Sequence, residues 1–230
     1  MSRTGMRPHP SHPALSLISA VAAVLAVTTV ACGGGSSSSP SSPSVSFASD
    51  LLAGSTQVPA LADLLADKRI GSADAPNLII QYSSLGCSHC ADFHTQSLPT
   101  LKRQYLDTGT ASFVYRDFPL DRTSLLGAMV ARCAGDSRYF AVLDVVYQSQ
   151  STWVYTADPW SALQTVLRSA GLAQSLIDAC ITTAGLEQGV NEVRDQGIAA
   201  FGISGTPTFI VNGTKVVGNV PLATLTSYFR

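Results

Sequence analysis

Two cysteines separated by two residues, Cys87 and Cys90, form the pattern in this 230-residue chain that is best suited to chemistry. They follow an apolar run of β-favouring residues, 78–82, and open a stretch that predicts a helix. At the start of a helix, unpaired backbone N–H groups and the positive end of the helix dipole favour an anion. The pKa of the Cys87 thiol should therefore lie below the roughly 8.5 of a free cysteine, and we expect Cys87 to be the nucleophile.

The residues beside this nucleophile have predicted roles of their own. Cys90 lies one helical turn further on, on the same side, where it can attack a mixed disulfide formed at Cys87 and release the bound partner. Ser88 and His89 stand between the cysteines and complete the candidate site, since a protonated His89 would add positive charge beside the thiolate. For His94, on the same helix, we expect a solvated or packed role rather than a catalytic one.

A single CxxC pair is a short pattern that has other uses. A zinc site would need a second CxxC or an HxxxH, and neither follows. Covalent haem attachment would need a histidine directly after the second cysteine, where Ala91 stands. An inert disulfide and a metal-binding module built from Cys87, Cys90 and a histidine stay open, but a strand followed by a helix favours redox chemistry. No cofactor and no metal are expected.

The first 31 residues predict a secretory signal peptide. Residues 1–13 carry two arginines and no acidic residue, and residues 14–30 form an uncharged apolar run. Small residues precede Cys32, which resembles the lipidated cysteine of a bacterial lipoprotein, although Thr29 replaces the leucine usual in such signals. We expect a lipid on Cys32 that anchors the chain to the cell membrane, with ordinary cleavage and a soluble secreted or periplasmic protein as the alternative.

Residues 32–56 predict a tether. The segment opens with glycine, serine and proline, a composition that cannot bury a core. The predicted signal peptide holds two of the 14 basic residues and none of the 15 acidic ones, which leaves a mature chain with a net charge of −3. This balance gives no indication of nucleic-acid binding.

The number of cysteines limits which of them can form disulfides. Five cysteines are an odd number for a chain that should meet an oxidising compartment, and lipidation of Cys32 leaves four. Helical spacing of apolar residues places Cys133 and Cys180 on the apolar faces of two helices. We predict a structural disulfide between them, and two buried free thiols or a second redox pair are the alternatives.

The remaining pattern predicts an α/β domain. Residues 78–82 and 110–115 are predicted strands joined by a helix that runs to about residue 106, and this order implies parallel strands. Pro99 is expected to kink or divide that helix. After residue 121 only helices are predicted, up to about residue 184, and Asn212-Gly213 then predicts the turn of a β-hairpin. A closing amphipathic helix is expected over residues 221–230.

With Thr206-Pro207 placed just before the hairpin, these landmarks resemble the DsbA-like family of thiol:disulfide oxidoreductases. The resemblance covers residues 57–230. It implies a thioredoxin-like α/β fold in two parts, residues 57–120 and 187–230, with an inserted all-helical subdomain at 121–186. It also implies a cis Pro207 beside Cys87, with the Thr206 backbone able to pair with a bound polypeptide.

The function implied by this resemblance is oxidation of cysteine pairs in secreted or envelope proteins outside the cytoplasm. Exchange would run through Cys87 and Cys90, and a quinone-linked membrane thiol oxidase would restore the disulfide. A monomer is favoured because no separate dimerisation domain is evident. A reductase or isomerase of the same fold is the alternative.

Three positions bear on the choice between these functions. Many family members have proline after the first cysteine and a buried acidic residue six positions before it, where this chain has Ser88 and Gln81. A neutral Gln81 cannot take up the Cys90 proton. Thr206 is similar to the residue that precedes the cis proline in isomerase-type relatives.

Overall fold

The computed structural model describes residues 57–230. The predicted signal peptide, Cys32 and the tether lie outside the described residues, so the expectations for them stay predictions. Across the described residues, no helix combines the length and the apolar character needed to cross a membrane.

A five-stranded sheet lies at the centre, in the order β1-β3-β2-β4-β5. The strands are β1 (Lys68–Ile70), β2 (Asn77–Ser83), β3 (Ala111–Asp117), β4 (Thr208–Val211) and β5 (Thr214–Val217). Strands β2 and β3 pair in parallel, as their connection through a helix predicts, and the other three pairings are antiparallel. The predicted α/β fold is confirmed.

The helical stretch after Cys87 consists of four consecutive elements. Helix α2 (Ser88–Asp92) continues into a π-helical turn (Phe93–Ser97), then α3 (Leu98–Leu101) and a second π-helical turn (Lys102–Leu106). Pro99 lies just after the first π-helical turn, and because proline has no backbone N–H, a change of hydrogen-bond pattern at this point is expected. The predicted single helix is thus divided near Pro99, while the chain stays helical to Leu106.

Six helices lie between β3 and β4. The first five are α4 (Arg122–Cys133), α5 (Asp136–Gln148), α6 (Gln150–Trp153), α7 (Pro159–Ser169) and α8 (Gln174–Ile181). The side chains of Asp121 and Asp158 cap α4 and α7 by accepting backbone N–H groups of the first turn. Helix α9 (Leu186–Phe201) ends at Gly202, whose left-handed backbone conformation is the usual glycine stop.

Both ends of the described domain hold elements that differ from the sequence-based predictions. At the N-terminal end, the short helix α1 (Leu61–Leu65) is followed by strand β1 at Lys68, which was not predicted. A three-residue edge strand is too short to show an alternating pattern, and it forms because it pairs with β3. At the other end, α10 spans only Leu222–Thr226 and not the whole of residues 221–230. The predicted hairpin is present, with Asn212 and Gly213 both at positive φ.

Two buried links tie α4 to other elements. Cys133, at the end of α4, is joined by a disulfide to Cys180 of α8. Arg132 donates through Nε to Asp117 Oδ2 at 2.6 Å and through Nη1 to the Leu64 carbonyl oxygen at 2.6 Å. Both charged side chains are almost fully buried, so α4 is held to the end of β3 and to α1 at once.

The disulfide gives the first prediction. Replacing both Cys133 and Cys180 with alanine should lower the free energy of unfolding by about 2–4 kcal/mol, because the unfolded chain regains the freedom that a cross-link removes. Urea denaturation of the double variant and the wild type, with Cys87 and Cys90 in the same redox state, measures this difference. Equal stability of the two proteins would contradict the prediction.

The ion pair of Asp117 with Arg132 gives the second prediction. Asp117→Asn should cost about 3–5 kcal/mol of unfolding free energy, because it leaves the buried Arg132 charge without its partner. Glu187→Gln is the matched control, since it removes the same charge from the exposed pair with Arg122 and should cost less than about 1 kcal/mol. Urea denaturation measures the free energy of unfolding of both variants. A similar decrease in the two would contradict the prediction that the buried pair matters more than the exposed one.

Candidate active site

The turn between β2 and α2 places the two cysteines in different surroundings. Cys87 occupies the position just before α2, and its Sγ accepts the backbone N–H of Cys90 at 3.3 Å. Cys87 is half-buried, whereas Cys90 is 0% exposed, and both are free thiols in this structure. A sulfur of another polypeptide can therefore reach Cys87 and not Cys90.

The loop before β4 lies against Cys87. The peptide bond between Thr206 and Pro207 is cis, and the Cys87 thiol donates to the Thr206 carbonyl oxygen at 3.3 Å. Pro207 itself is buried. Because β4 pairs with β2 in a register that sets Thr208 opposite Tyr82, the sheet brings this loop to the cysteine turn from far along the chain.

Hydrogen bonds lower the pKa of Cys87 from an ordinary 9.0 to about 6. The largest contribution comes from the Cys90 thiol, and partial burial acts in the opposite direction. The side chain of Thr206 and the backbone N–H groups of Cys90 and His89 lower the pKa further. Cys87 is thus largely a thiolate at neutral pH.

The pKa of Cys90 is shifted in the opposite direction. Burial raises the pKa of Cys90 far above its ordinary value, and its hydrogen bond and proximity to Cys87 raise it further. The hydroxyls of Ser83 and Thr206 offset part of this rise. The two thiols therefore ionise far apart in pH, so Cys90 keeps its proton and donates it in a hydrogen bond to the Cys87 thiolate.

Ser88 and His89 are both exposed. The His89 side chain is 71% exposed, and its Nδ1 lies 3.7 Å from the Asp92 carboxylate. The influence of His89 on the thiolate therefore comes through its backbone N–H, and its ring faces Asp92 and solvent. His94 is buried, with Nε2 at 2.7 Å from Asp144 Oδ1 and its ring against Tyr147.

Comparison with known proteins identifies the family. A family model described as Thioredoxin matches residues 64–229. The crystal structure of Wolbachia pipientis alpha-DsbA1 is similar with a TM-score of 0.65 and 30% identity, over 70% of this chain and 87% of that chain. This chain belongs to the DsbA-like family. The same fold is present in BdbD from Bacillus subtilis, with a TM-score of 0.60 and 16% identity over 74% of this chain and 95% of that one.

Two curated relatives are longer than the segment that matches this chain. A Rickettsia conorii protein named "Putative protein-disulfide oxidoreductase" is 30% identical over 166 residues, which is 70% of this chain and 58% of that protein. A Rickettsia typhi relative of the same name is 27% identical over 150 residues, or 65% of this chain and 56% of the relative. The chain thus spans less than three fifths of the length of these relatives.

Gln150 supports the DsbA-like site and was not found from the sequence. Its Nε2 donates to the carbonyl oxygens of Leu85 and Cys87 at 2.7 and 3.0 Å, and Gly86 donates its N–H to Ser124 Oγ at 2.9 Å. Both side chains belong to the helices between β3 and α9, so these helices hold the turn from which Cys87 projects. A glutamine in a helical stretch carries no local signal of such a contact.

Gln81 is buried in this DsbA-like chain, as a position facing the core requires. Its Nε2 lies 3.5 Å from Ser83 Oγ, and its Oε1 has no hydrogen-bond partner in the described part of the chain. Being neutral, it offers no proton acceptor to Cys90. Over residues 57–230, no three histidine, cysteine, aspartate or glutamate side chains are grouped so as to hold a metal ion.

The lowered pKa of Cys87 predicts how the stability of the reduced DsbA-like protein depends on pH. Between about pH 6 and 9 the folded protein has lost the Cys87 proton while the unfolded chain still holds it. The free energy of unfolding should therefore rise with pH across this window, and the gain should disappear as pH falls through about 6. Urea denaturation at several pH values, alongside thiolate absorbance, measures both effects.

Cys87→Ser is the control for this measurement, because it removes the titrating thiol and keeps a side chain of similar size. Its stability should change much less over the same pH window. A thiolate titration in the wild type with a midpoint near the ordinary 9.0 would contradict the prediction.

Proposed function

We propose that this protein is a thiol:disulfide oxidoreductase that oxidises cysteine pairs in secreted or envelope proteins outside the cytoplasm. The observation that carries the proposal is the contrast between an accessible, acidic Cys87 and a buried, protonated Cys90 beneath it. Such a pair has one sulfur that exchanges with other polypeptides and one that serves only its neighbour.

The low pKa of Cys87 supports the oxidising direction. Hydrogen bonds to the thiolate stabilise the reduced protein and have no counterpart in the disulfide, so they make the disulfide readier to accept electrons. For a two-electron couple, a tenfold change in this equilibrium corresponds to about 30 mV. The thiolate also leaves easily from a mixed disulfide, which favours release of the oxidised client.

The exchange proceeds in two steps. A client thiolate attacks Cys87 Sγ, the bond between Cys87 and Cys90 breaks, and the electron pair of that bond passes to Cys90. The second client cysteine then loses its proton and attacks the client sulfur of the mixed disulfide, and Cys87 leaves as a thiolate. The client gains a disulfide, and the protein retains two electrons and a proton on Cys90.

Client binding is proposed at the loop that contains the cis proline. Thr206 is partly buried beside Cys87, and an extended client segment there could hydrogen-bond to the backbone of this loop. A cleft lined by Gly86, Trp153 and Val154, among others, adjoins the same turn. Of the aromatic residues after α6, Tyr155 is 80% exposed and available to an apolar client side chain.

The cellular setting is part of the proposal. Cleavage after residue 31 and lipidation of Cys32 would anchor the domain at the outer face of the cell membrane. There it would act as a monomer, and a quinone-linked membrane thiol oxidase would regenerate the disulfide of Cys87 and Cys90. The two-part thioredoxin-like domain at 57–120 and 187–230, with helices inserted at 121–186, is the unit proposed to do this chemistry.

A reductase or isomerase is the second candidate, because Thr206 stands before the cis proline with its hydroxyl near Cys87. Equilibration of Cys87 and Cys90 with glutathione buffers separates an oxidase from a reductase. We expect a reduction potential less negative than about −200 mV, as an oxidase requires. A potential near the roughly −270 mV of thioredoxin would overturn the oxidase proposal.

A client-oxidation assay tests whether disulfide exchange depends on Cys87 and Cys90. The metal-stripped wild type should oxidise a reduced client protein at full rate, and Cys87→Ser should not. The double alanine variant of Cys133 and Cys180, assayed where it is folded, is the matched control because it removes two other sulfurs. A requirement for added metal would favour a metal-binding module instead.

A further inference from the structure

The turn before Cys87 is a β-turn whose central peptide group is held at both ends. The Cys87 N–H donates at 3.2 Å to the carbonyl oxygen three residues earlier, which closes the turn around Leu85 and Gly86. The Leu85 carbonyl oxygen accepts a proton of Gln150 Nε2 at 2.7 Å, and the Gly86 N–H donates to Ser124 Oγ at 2.9 Å. Side chains of α6 and α4 therefore fix one peptide group between them.

Gly86 is the residue that could let this peptide group rotate. Type I and type II turns differ in the orientation of the central peptide, and glycine at the third position tolerates both. Gly86 lacks the positive φ that a type II turn requires there. A Cβ on Gly86 would lie 3.0 Å from both Asp121 Oδ2 and Ser124 Oγ, so the start of α4 approaches as closely as glycine allows. The bonds from Gln150 and Ser124 thus select one of two orientations open to the peptide.

The Gln150 amide also reaches the carbonyl oxygen of Cys87, at 3.0 Å. That oxygen accepts the N–H groups of Cys90 and Ala91 as well, each at 3.1 Å, so three donors meet an acceptor with two lone pairs. The Cys90 N–H lies 3.3 Å from Cys87 Sγ at the same time. This N–H is therefore shared between the oxygen and the sulfur of one residue, and the bond from Gln150 leaves the oxygen less able to hold it.

Gln150 is itself firmly placed. Its side chain is 9% exposed, and the carbonyl oxygens of Leu85 and Cys87 accept both protons of its Nε2. At the other end of α6, the buried Trp153 donates through Nε1 to the Val146 carbonyl oxygen at 3.2 Å, which ties this short helix to α5. The amide is thus presented to the turn from an element that is anchored elsewhere.

We propose that Gln150 is a positioning residue for the disulfide exchange, whose amide holds the turn and the Cys87 carbonyl oxygen so that the Cys90 N–H is shared with the Cys87 sulfur. Gln150 acts through the backbone of the turn and not on either sulfur directly. The inference rests on the proposed exchange through Cys87 and Cys90. It attributes part of the stability of the thiolate to a side chain 63 residues further along the chain.

The expected effect has a definite direction. The backbone N–H of Cys90 is one of the groups that lower the pKa of Cys87, because it stabilises the thiolate. Loss of the Gln150 amide would return this N–H to the carbonyl oxygen and release one end of the central peptide. Both changes weaken the bond to sulfur, so Cys87 should bind its proton more tightly and the disulfide should become less oxidising.

Gln150→Met tests the proposal, because it keeps the length of the side chain and removes both donated protons. The proton affinity of Cys87 should rise about threefold to tenfold, so its pKa should move from about 6 towards the ordinary 9.0. The pH dependence of iodoacetamide alkylation measures this change. At about pH 8 the thiolate dominates in both proteins, so the equilibrium with glutathione should shift towards the disulfide by a similar factor, a potential more negative by up to about 30 mV.

Two controls separate positioning from a general loss of packing or stability. Gln164→Met makes the same change at a partly buried glutamine of α7, whose side chain accepts from Gln174. The double alanine variant of Cys133 and Cys180 lowers stability and leaves the turn intact. In both controls the pKa of Cys87 should stay at about 6, and the reduction potential should be that of the wild type.

A measurement on the reduced wild type needs no substitution and stands even where Gln150→Met does not fold. In NMR spectra, the side-chain amide protons of Gln150 should be protected from exchange with water. Their resonances should also shift with pH around a midpoint of about 6, because they are bonded to the residue that ionises. The side-chain amide of Gln164 should show no such midpoint.

Three results would overturn the inference. The first is a proton affinity of Cys87 in folded Gln150→Met within about twofold of the wild type, and the second is an equal rise in Gln164→Met. The third is a Gln150 amide that does not respond to ionisation of Cys87. Each would leave the proposed function standing, because that function fails only if the wild type itself does not exchange with thiols or has the potential of a reductase.

Discussion

Hydrogen bonding to one sulfur, Cys87 Sγ, is the interaction on which the rest of the site depends. The Cys90 thiol, two backbone N–H groups and the Thr206 side chain all favour the thiolate, against the opposing effect of partial burial. Three features of the structure place these donors: the start of helix α2, the spacing of the two cysteines, and the loop with the cis peptide bond. The pairing of β4 with β2 brings the cis peptide loop next to the cysteine turn.

The helices between β3 and α9 do more than cover the sheet. Gln150 binds the carbonyl oxygens on both sides of Gly86, and Ser124 accepts the Gly86 N–H, so the turn before Cys87 is held from the helical side. Tyr147 of α5 reaches the end of β2 from the same side. These helices therefore hold the backbone around the first cysteine and the end of β2.

Local patterns account for what could be predicted from the sequence. The parallel pairing of β2 and β3 and the turn at Asn212 follow from residues close together in the chain, and they were predicted correctly. Strand β1 was not predicted because a three-residue strand is too short to show an alternating pattern of apolar and polar residues. The contacts of Gln150 and Tyr147 were missed for another reason: they join segments more than 60 residues apart through single polar groups, which leave no repeating signal.

The buried Gln81 is neutral, so the core beneath the two cysteines has no fixed charge at this position. A buried carboxylate near Cys90 would carry charge in the resting state, would need compensation for its burial and would shift the potential of the pair. The amide of Gln81 carries no charge in either redox state of the pair and adds no such shift. The hydrogen bonds to the Cys87 thiolate are then the main structural feature that favours the reduced state of the pair.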